Sequence, residues 1–260
     1  KTSFILLSMQ SSLAIIIGAS GGLGFEFSRQ LALRGLKVVA LSRSATQNTH
    51  LQDLSRRHSL DCTPIDLDPL DSLSLQNAVR QIESLGNLPV SFLINCCGVL
   101  TSKDHGPEKS LADFDLDWAT HSFQVNALSH MLTLSAFSHL IISKQSRDFP
   151  TRVASVSARV ASIGDNRIGG WYSYRATKSA LNQYLKTASI ELGRRHKKLV
   201  VASLHPGTVE TSLSKPFLAG VKHEVFSPQY SVEQLLKVLD HLEPDSSGGF
   251  FDYAGKSIVW

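Results

Sequence analysis

Short continuous apolar runs alternate with helix-spaced apolar residues along almost all of this 260-residue chain. Leu13-Ala14-Ile15-Ile16-Ile17 is a β-branched run of the kind a parallel strand buried on both faces requires. A glycine-rich turn follows, then the helical pattern FEFSRQLALRG ending at Gly35. The alternation predicts further strands at Leu36–Ser42, near Cys62–Ile65, and at Val90–Ile94, Arg152–Ser157, Leu199–Leu204 and Gly249–Tyr253. Helices are predicted around Thr49–His58, at Ser72–Leu85 closing on Gly86, at Trp118–Ser143, after Trp171 and at Ser231–Leu242. Loops occupy 99–118 and 158–170, and the irregular segment 212–230 has the length of a mobile lid over a site. No repeat, low-complexity linker or domain boundary interrupts the pattern. Strand and helix alternate throughout, so the fold class is α/β, with a single doubly wound parallel sheet flanked by helices on both faces. One domain over residues 9–260 accounts for it, with 1–8 as an N-terminal extension.

Within the long helical pattern, Phe123, Val125, Leu128, Met131, Leu132, Leu134 and Leu140 surround a single Asn126. A buried Asn must be hydrogen-bonded, which predicts a kink or a bound water there. The pattern after Trp171 places Ala176, Ala180, Leu181, Tyr184, Leu185, Ala188 and Leu192 in steps of three and four. On that helix Tyr174 and Lys178 project from one face, one turn apart. An ammonium beside a tyrosine favours the phenolate, so the Tyr174 pKa is expected below the usual value of about 10. Such a phenol can exchange a proton with a carbonyl or alcohol oxygen. Tyr172 and Tyr184 have no lysine four residues on.

Bulk properties narrow the field. Hydrophobic residues make up 42% and charged residues 18%, values of a folded globular chain and not of a disordered one. The net charge of +4 is spread out, and the one basic run, Arg194-Arg195-His196-Lys197-Lys198, ends a predicted helix where cations favour the dipole. No nucleic-acid partner is expected from it. Cys62, Cys96 and Cys97 form no disulfide framework, and adjacent Cys96 and Cys97 lack metal-ligand spacing; no metal site is expected. The pair is expected as small buried residues at a strand end, in a reducing compartment. No run reaches the length of a transmembrane helix, so no membrane is expected. Lys1–Ile17 superficially resembles a signal peptide, but Ser8, Gln10, Ser11 and Ser12 interrupt it. Met9 is an alternative start, with Lys1–Ser8 a vestige or a targeting remnant; the expected location is cytoplasmic, with organelle targeting through this extension left open.

Strand, glycine turn and helix form the setting in which Gly18-x-x-x-Gly22-x-Gly24 carries meaning. Glycines let the backbone turn tightly and approach a pyrophosphate, whose charge lies at a helix N-terminus. The second strand ends at Arg43 with no acid nearby; an arginine there suits a 2′-phosphate, which favours NADP(H), with NAD(H) as the weaker option. Asp66 closes the third strand, where it can meet an adenine amino group or cap the next helix. Asn95, directly after a buried strand, is expected to bond neighbouring backbone beside the cofactor.

With Gly18–Gly24, Asn95–Gly98, Asn126, Ser157, Tyr174/Lys178 and Pro206-Gly207 in this order, residues 13–255 resemble the classical short-chain dehydrogenase/reductases, whose sheet is of the Rossmann type. GGWYSYRATKSALN, SLHPGTVETSLSKPF and SGGFFDYAGKSIVW look like the C-factor-like branch related to sniffer-type carbonyl reductases. The resemblance implies a catalytic set of Asn126, Ser157, Tyr174 and Lys178. Tyr174 would be the general acid in carbonyl reduction and the base in reverse. Lys178 would lower its pKa and bond the nicotinamide ribose, Ser157 would bond the substrate oxygen, and Asn126 would hold the kink and a relay water. The implied cofactor set is Gly18, Ser20, Gly21, Gly22, Leu23, Gly24, Arg43, Asp66, Leu67, Asn95, Cys96, Gly98, Tyr174, Lys178, Pro206, Gly207, Val209 and Thr211, with the Pro206–Thr211 segment against the nicotinamide carboxamide. Ile17 replaces the family's usual Thr, Cys96-Cys97 replaces Asn-Ala, and Ser157-Ala158 replaces a Ser-Ser pair whose second member is commonly catalytic. The expected partner is a small carbonyl or alcohol substrate, and the expected assembly a homodimer or homotetramer packed through 118–143 and 174–193. The implied activity is NADP(H)-dependent carbonyl reduction; the alternative is a C-factor-like nucleotide-binding signalling protein with negligible turnover.

Overall fold

The computed structural model describes residues 12–58, 60–146 and 148–260, without the side chains of residues 57 and 58. The expectations for residues 1–8 and Met9 lie outside the described residues. Seven strands form one parallel sheet: β1 (Leu13–Ile17), β2 (Lys37–Ser42), β3 (Cys62–Asp66), β4 (Val90–Asn95), β5 (Thr151–Val156), β6 (Leu199–His205) and β7 (Gly249–Asp252). Their order is β3-β2-β1-β4-β5-β6-β7. Between β1 and β4 the winding reverses, and a crevice opens there at the carboxyl ends of the strands.

The period of two along each strand divides the core. Ala14 and Ile16 join Phe27, Leu31, Leu51, Val232 and Leu235 in one apolar layer. Leu13, Ile15 and Ile17 join Leu75, Phe137, Leu181 and Leu185 in the other. The first layer is supplied by α1 (Gly22–Leu33), α2 (Thr49–His58) and α7 (Pro228–His241), the second by α3 (Ser72–Ser84), α5 (Ser129–Ser143) and α6 (Tyr172–Arg195). A doubly covered parallel sheet follows from strands apolar on both faces.

Helix boundaries follow their caps. Asp71 accepts from Leu73 N (2.8 Å) and starts α3, so Asp66 does not cap that helix. Asp115 accepts from Trp118 N (2.7 Å), and the long helix therefore begins at Leu116, with α4 spanning Leu116–Phe123. Its kink is a π turn, Gln124–Leu128, centred on Asn126, as a buried polar residue in an apolar helix foretold. Ser227 caps α7, whose first residue is Pro228; proline at that position has no N–H to waste, so the helix begins ahead of the predicted Ser231.

The expectation that nothing reaches membrane-span length needs correction. Leu116–Ser143 is a continuous 28-residue helix, long and apolar enough by length and composition, but only because α4, the π turn and α5 run together. Half of its most apolar window is buried inside the fold, with α5 packed on β4, α3 and α6, as in a core helix.

Candidate active site

The crevice is a cleft of about 760 Å³ along the carboxyl edge of the sheet. Its floor is the turn between β1 and α1. Gly18 has φ +78°, and a Cβ there would lie 3.1 Å from the Cys96–Cys97 backbone. A Cβ on Gly24 would lie 2.1 Å from Gly18 O, so α1 starts in van der Waals contact with the loop that precedes it. Gly22 faces Thr211, whose Cγ2 would lie 2.8 Å from an added Cβ. Gly21 stands before α1 with no side-chain cap, which leaves the first helical N–H groups facing the cleft beside Ser20 and Leu23. This is an anion cradle built from backbone, and it fits a pyrophosphate.

Beyond β2, Arg43 lines the cleft, exposed and with no hydrogen bond or ion pair to another described residue. Asp66 is placed differently from its expected role. Its carboxylate accepts from Thr46 N (2.9 Å) and Thr46 Oγ1 (2.7 Å), tying β3 to the loop after β2. Leu67 and Asp68 line the cleft in its stead.

On the opposite wall Asn95 is buried and away from the cavity. Its Nδ2 donates to Thr133 Oγ1 (2.9 Å) and its Oδ1 accepts from Cys97 N (2.9 Å), which bends the chain after β4 over the floor. Cys96 and Cys97 are half-buried, contrary to expectation, because the strand stops at Asn95 and both residues belong to the loop lining the cleft. They face opposite layers of the sheet, and burial pushes both thiols up, Cys97 to about 11. Asn126 spends its amide on backbone: Oδ1 accepts from Val99 N (2.7 Å), and Nδ2 donates to Val99 O (2.9 Å) and Ser122 Oγ (3.0 Å). It locks the loop 99–118 to the π turn and does not itself line the cleft.

Ser157, Tyr174 and Lys178 converge on the third wall. Ser157 follows β5, is held by Ser157 N to Leu204 O (2.7 Å), and donates its hydroxyl to Asn182 Oδ1 (2.8 Å). Lys178 is buried, with Nζ donating to Val156 O (2.8 Å) and lying 6.0 Å from the centre of the Tyr174 ring. The expected lowering of the Tyr174 pKa is not what this geometry gives. Burial pushes the phenol up to about 12 and the neighbouring ammonium down to about 8. Removal from water outweighs the attraction of a lysine whose charge is itself disfavoured. Pro206, Gly207, Val209 and Thr211 close the cleft above β6, with Gly207 at φ +79° and packed on Phe226.

The short chain dehydrogenase family matches over residues 12–221, covering the glycine turn, the Ser157 strand and the Tyr174 helix. The chain belongs to the short chain dehydrogenase family. An uncharacterized oxidoreductase of Schizosaccharomyces pombe is 28% identical over 257 residues, covering 94% of this chain and 96% of that protein. The C-signal of Myxococcus xanthus is 35% identical over 172 residues, 66% of this chain and 93% of that protein. The fold matches NADPH-bound carbonyl reductase from chicken fatty liver with a TM-score of 0.82 at 24% identity, over 96% of this chain and 99% of that one.

As a short-chain dehydrogenase the chain has three further residues at the site that its linear pattern did not mark. Glu108 is buried, and its carboxylate accepts from Ser173 N and Ser173 Oγ while its carbonyl accepts from Trp171 N. It stands in for the missing side-chain cap of α6, because Trp171 at the cap position has φ +54° and no capping hydrogen bond. A carboxylate at a helix N-terminus is favoured by the dipole. Asn182 has no reading in the sequence pattern, and Ser157 reaches it across 25 residues of sequence. His205 ends β6, lines the cleft, and is held neutral by burial, which lowers it to about 4. Trp171 packs on Tyr174 (6.1 Å between ring centres) and Phe217 (5.5 Å), while Phe226 packs with Tyr230 and Tyr253 away from it.

Proposed function

We propose that this short-chain dehydrogenase is an NADP(H)-dependent oxidoreductase acting on a ketone or aldehyde, with Tyr174 as its general acid and, in reverse, its general base. The observation that carries the proposal is the convergence of Ser157, Tyr174 and Lys178 on one wall of a glycine-floored cleft. A nicotinamide dinucleotide supplies the hydride when bound. Gly18 and Gly22–Gly24 would hold its pyrophosphate, Lys178 its ribose, and Arg43 a 2′-phosphate. The protein's own work is to place the carbonyl oxygen against Ser157 and Tyr174 and to deliver the Tyr174 proton to it. Carbonyl reductases with NADPH or NADP bound are among the folds this chain matches, which supports the choice of cofactor. Leu132 and Ile190, 41% and 53% exposed on α5 and α6, supply apolar surface for pairing two copies through these helices.

A second reading follows from the C-signal relative: a dinucleotide-binding signalling protein with negligible turnover. NADPH oxidation across a panel of ketones and aldehydes separates the two. With an active substrate in hand, Tyr174→Phe is expected to retain NADPH binding and to lose about 10²–10⁴-fold in kcat, the range for a missing general acid. Equal turnover by the variant refutes the role of Tyr174, and tight NADPH binding with no turnover on any substrate supports the second reading.

A further inference from the structure

Ser157 has one hydroxyl proton, and in this structure it is committed to Asn182, which does not line the cleft. Its Oγ donates to Asn182 Oδ1 at 2.8 Å, and a serine hydroxyl has nothing further to donate. So oriented, the hydroxyl cannot donate to a substrate oxygen in the cleft. Asn182 is 2% exposed, and its Nδ2 is buried with no hydrogen-bond partner. Two N–H donors are thus left unmade by one orientation of an amide that is nearly symmetric in shape. Turning the amide by half a revolution about Cβ–Cγ would bring Nδ2 to Ser157 Oγ and carry Oδ1 to the unpartnered side. An unpaired carbonyl oxygen is better tolerated in protein interiors than an unpaired N–H. With Nδ2 donating to Oγ, the serine proton is free to turn into the cleft.

We infer that Asn182 is the positioning residue of Ser157, its side-chain amide turning from acceptor to donor so that the serine hydroxyl can donate to the reacting oxygen in either direction. No bond to Ser157 forms or breaks; its proton stays on Oγ and only changes direction, while the proton that moves in the reaction is that of Tyr174. Asn182 lies four residues beyond Lys178 on α6, so one helix face carries the proton donor, the lysine and the group that orients the serine. The inference rests on the proposed carbonyl–alcohol chemistry at this site.

Asn182→Asp separates the two orientations, because an ionised carboxylate can only accept. At neutral pH the variant is expected to lose about 10–100-fold in kcat/KM for carbonyl reduction and the same factor for alcohol oxidation, since both directions share one transition state, the loss matching one hydrogen bond to the reacting oxygen. Lowering the pH until the new carboxyl protonates lets it donate, and kcat/KM is expected to recover relative to wild type, a profile that a purely structural residue would not give. NADPH binding and thermal melting report that the variant is folded. If it is not, Asn182→Ala is compared in wild-type and Ser157→Ala backgrounds, where the substitution is expected to lower kcat in the first and to have no further effect in the second. No change in either direction, a loss that does not recover at low pH, or additive losses in the double variant overturn the inference. A wild-type enzyme that turns over neither substrate overturns the proposed function and this inference with it.

Discussion

Lys178 should make the protein less stable in the form in which it is useful. It is 2% exposed, pairs with no carboxylate among the described residues, and has Val156 O as its hydrogen-bond acceptor. Burial lowers its ammonium from an ordinary 10.5 to about 8. At about 1.36 kcal/mol per pH unit, holding it protonated at pH 6.5 costs the fold roughly 3 kcal/mol. Replacement by Met, of similar length and no charge, removes that penalty and leaves Val156 O without this donor, a loss of about 1–3 kcal/mol. Lys178→Met is therefore expected to be as stable as wild type or up to about 2 kcal/mol more stable at pH 6.5, and inactive in carbonyl reduction. The sign of the pH dependence follows from proton counting. Between pH 8 and 10.5 the unfolded lysine holds its proton and the folded one has shed it, so wild-type stability rises with pH relative to the variant. Tyr174, raised by burial in a protein that has it in both forms, largely cancels in the difference. Urea unfolding of both cofactor-free proteins at pH 6.5 and 10 measures the gap. A gap that does not move in favour of wild type between those values would show that Lys178 is solvated in the folded protein and refute the reasoning.

Two further outcomes are expected. Gly24→Ala places a methyl carbon 2.1 Å from Gly18 O, backbone against backbone, and α1 must shift away from the loop; a loss of about 1–3 kcal/mol in stability and a clear weakening of NADPH binding by calorimetry should follow, and unchanged binding would mean the cradle is not where the pyrophosphate sits. Arg43→Asp removes an unpaired guanidinium from the cleft and is expected to shift the NADPH-to-NADH preference by at least about tenfold towards NADH, one charge-assisted hydrogen bond being of that size; a constant ratio assigns the phosphate to another group.

The layers were legible in the sequence because they rest on local signals. The run Leu13–Ile17, the glycines after it and the period of α6 each state their structure within a dozen residues, and strands drawn from them miss by a residue or so. The errors arose where one stretch depends on another. Asp66 was offered as a helix cap by its place at the end of β3, but Asp71 caps that helix, and Asp66 accepts from Thr46 in the loop after β2. The Tyr174 pKa was read from its lysine alone, and the burial that reverses it is a property of the whole wall. Glu108 and Asn182 carry no motif, since each gains its role only when a distant serine is folded against it. Arg152 is hidden in the same way: fully buried on β5, it donates to the carbonyls of Leu239 and Asp240 at the end of α7, a cap supplied from across the sheet.

Glu108 ties the fate of two regions together. The loop 99–118, which enters the cleft at Val99, is also the peg on which the first turn of α6 hangs. Remodelling around residue 108 would loosen Tyr174 along with the cleft wall, whereas at the other rim, Leu213 to Phe217, the link to Tyr174 among the described residues is the edge-on ring of Trp171.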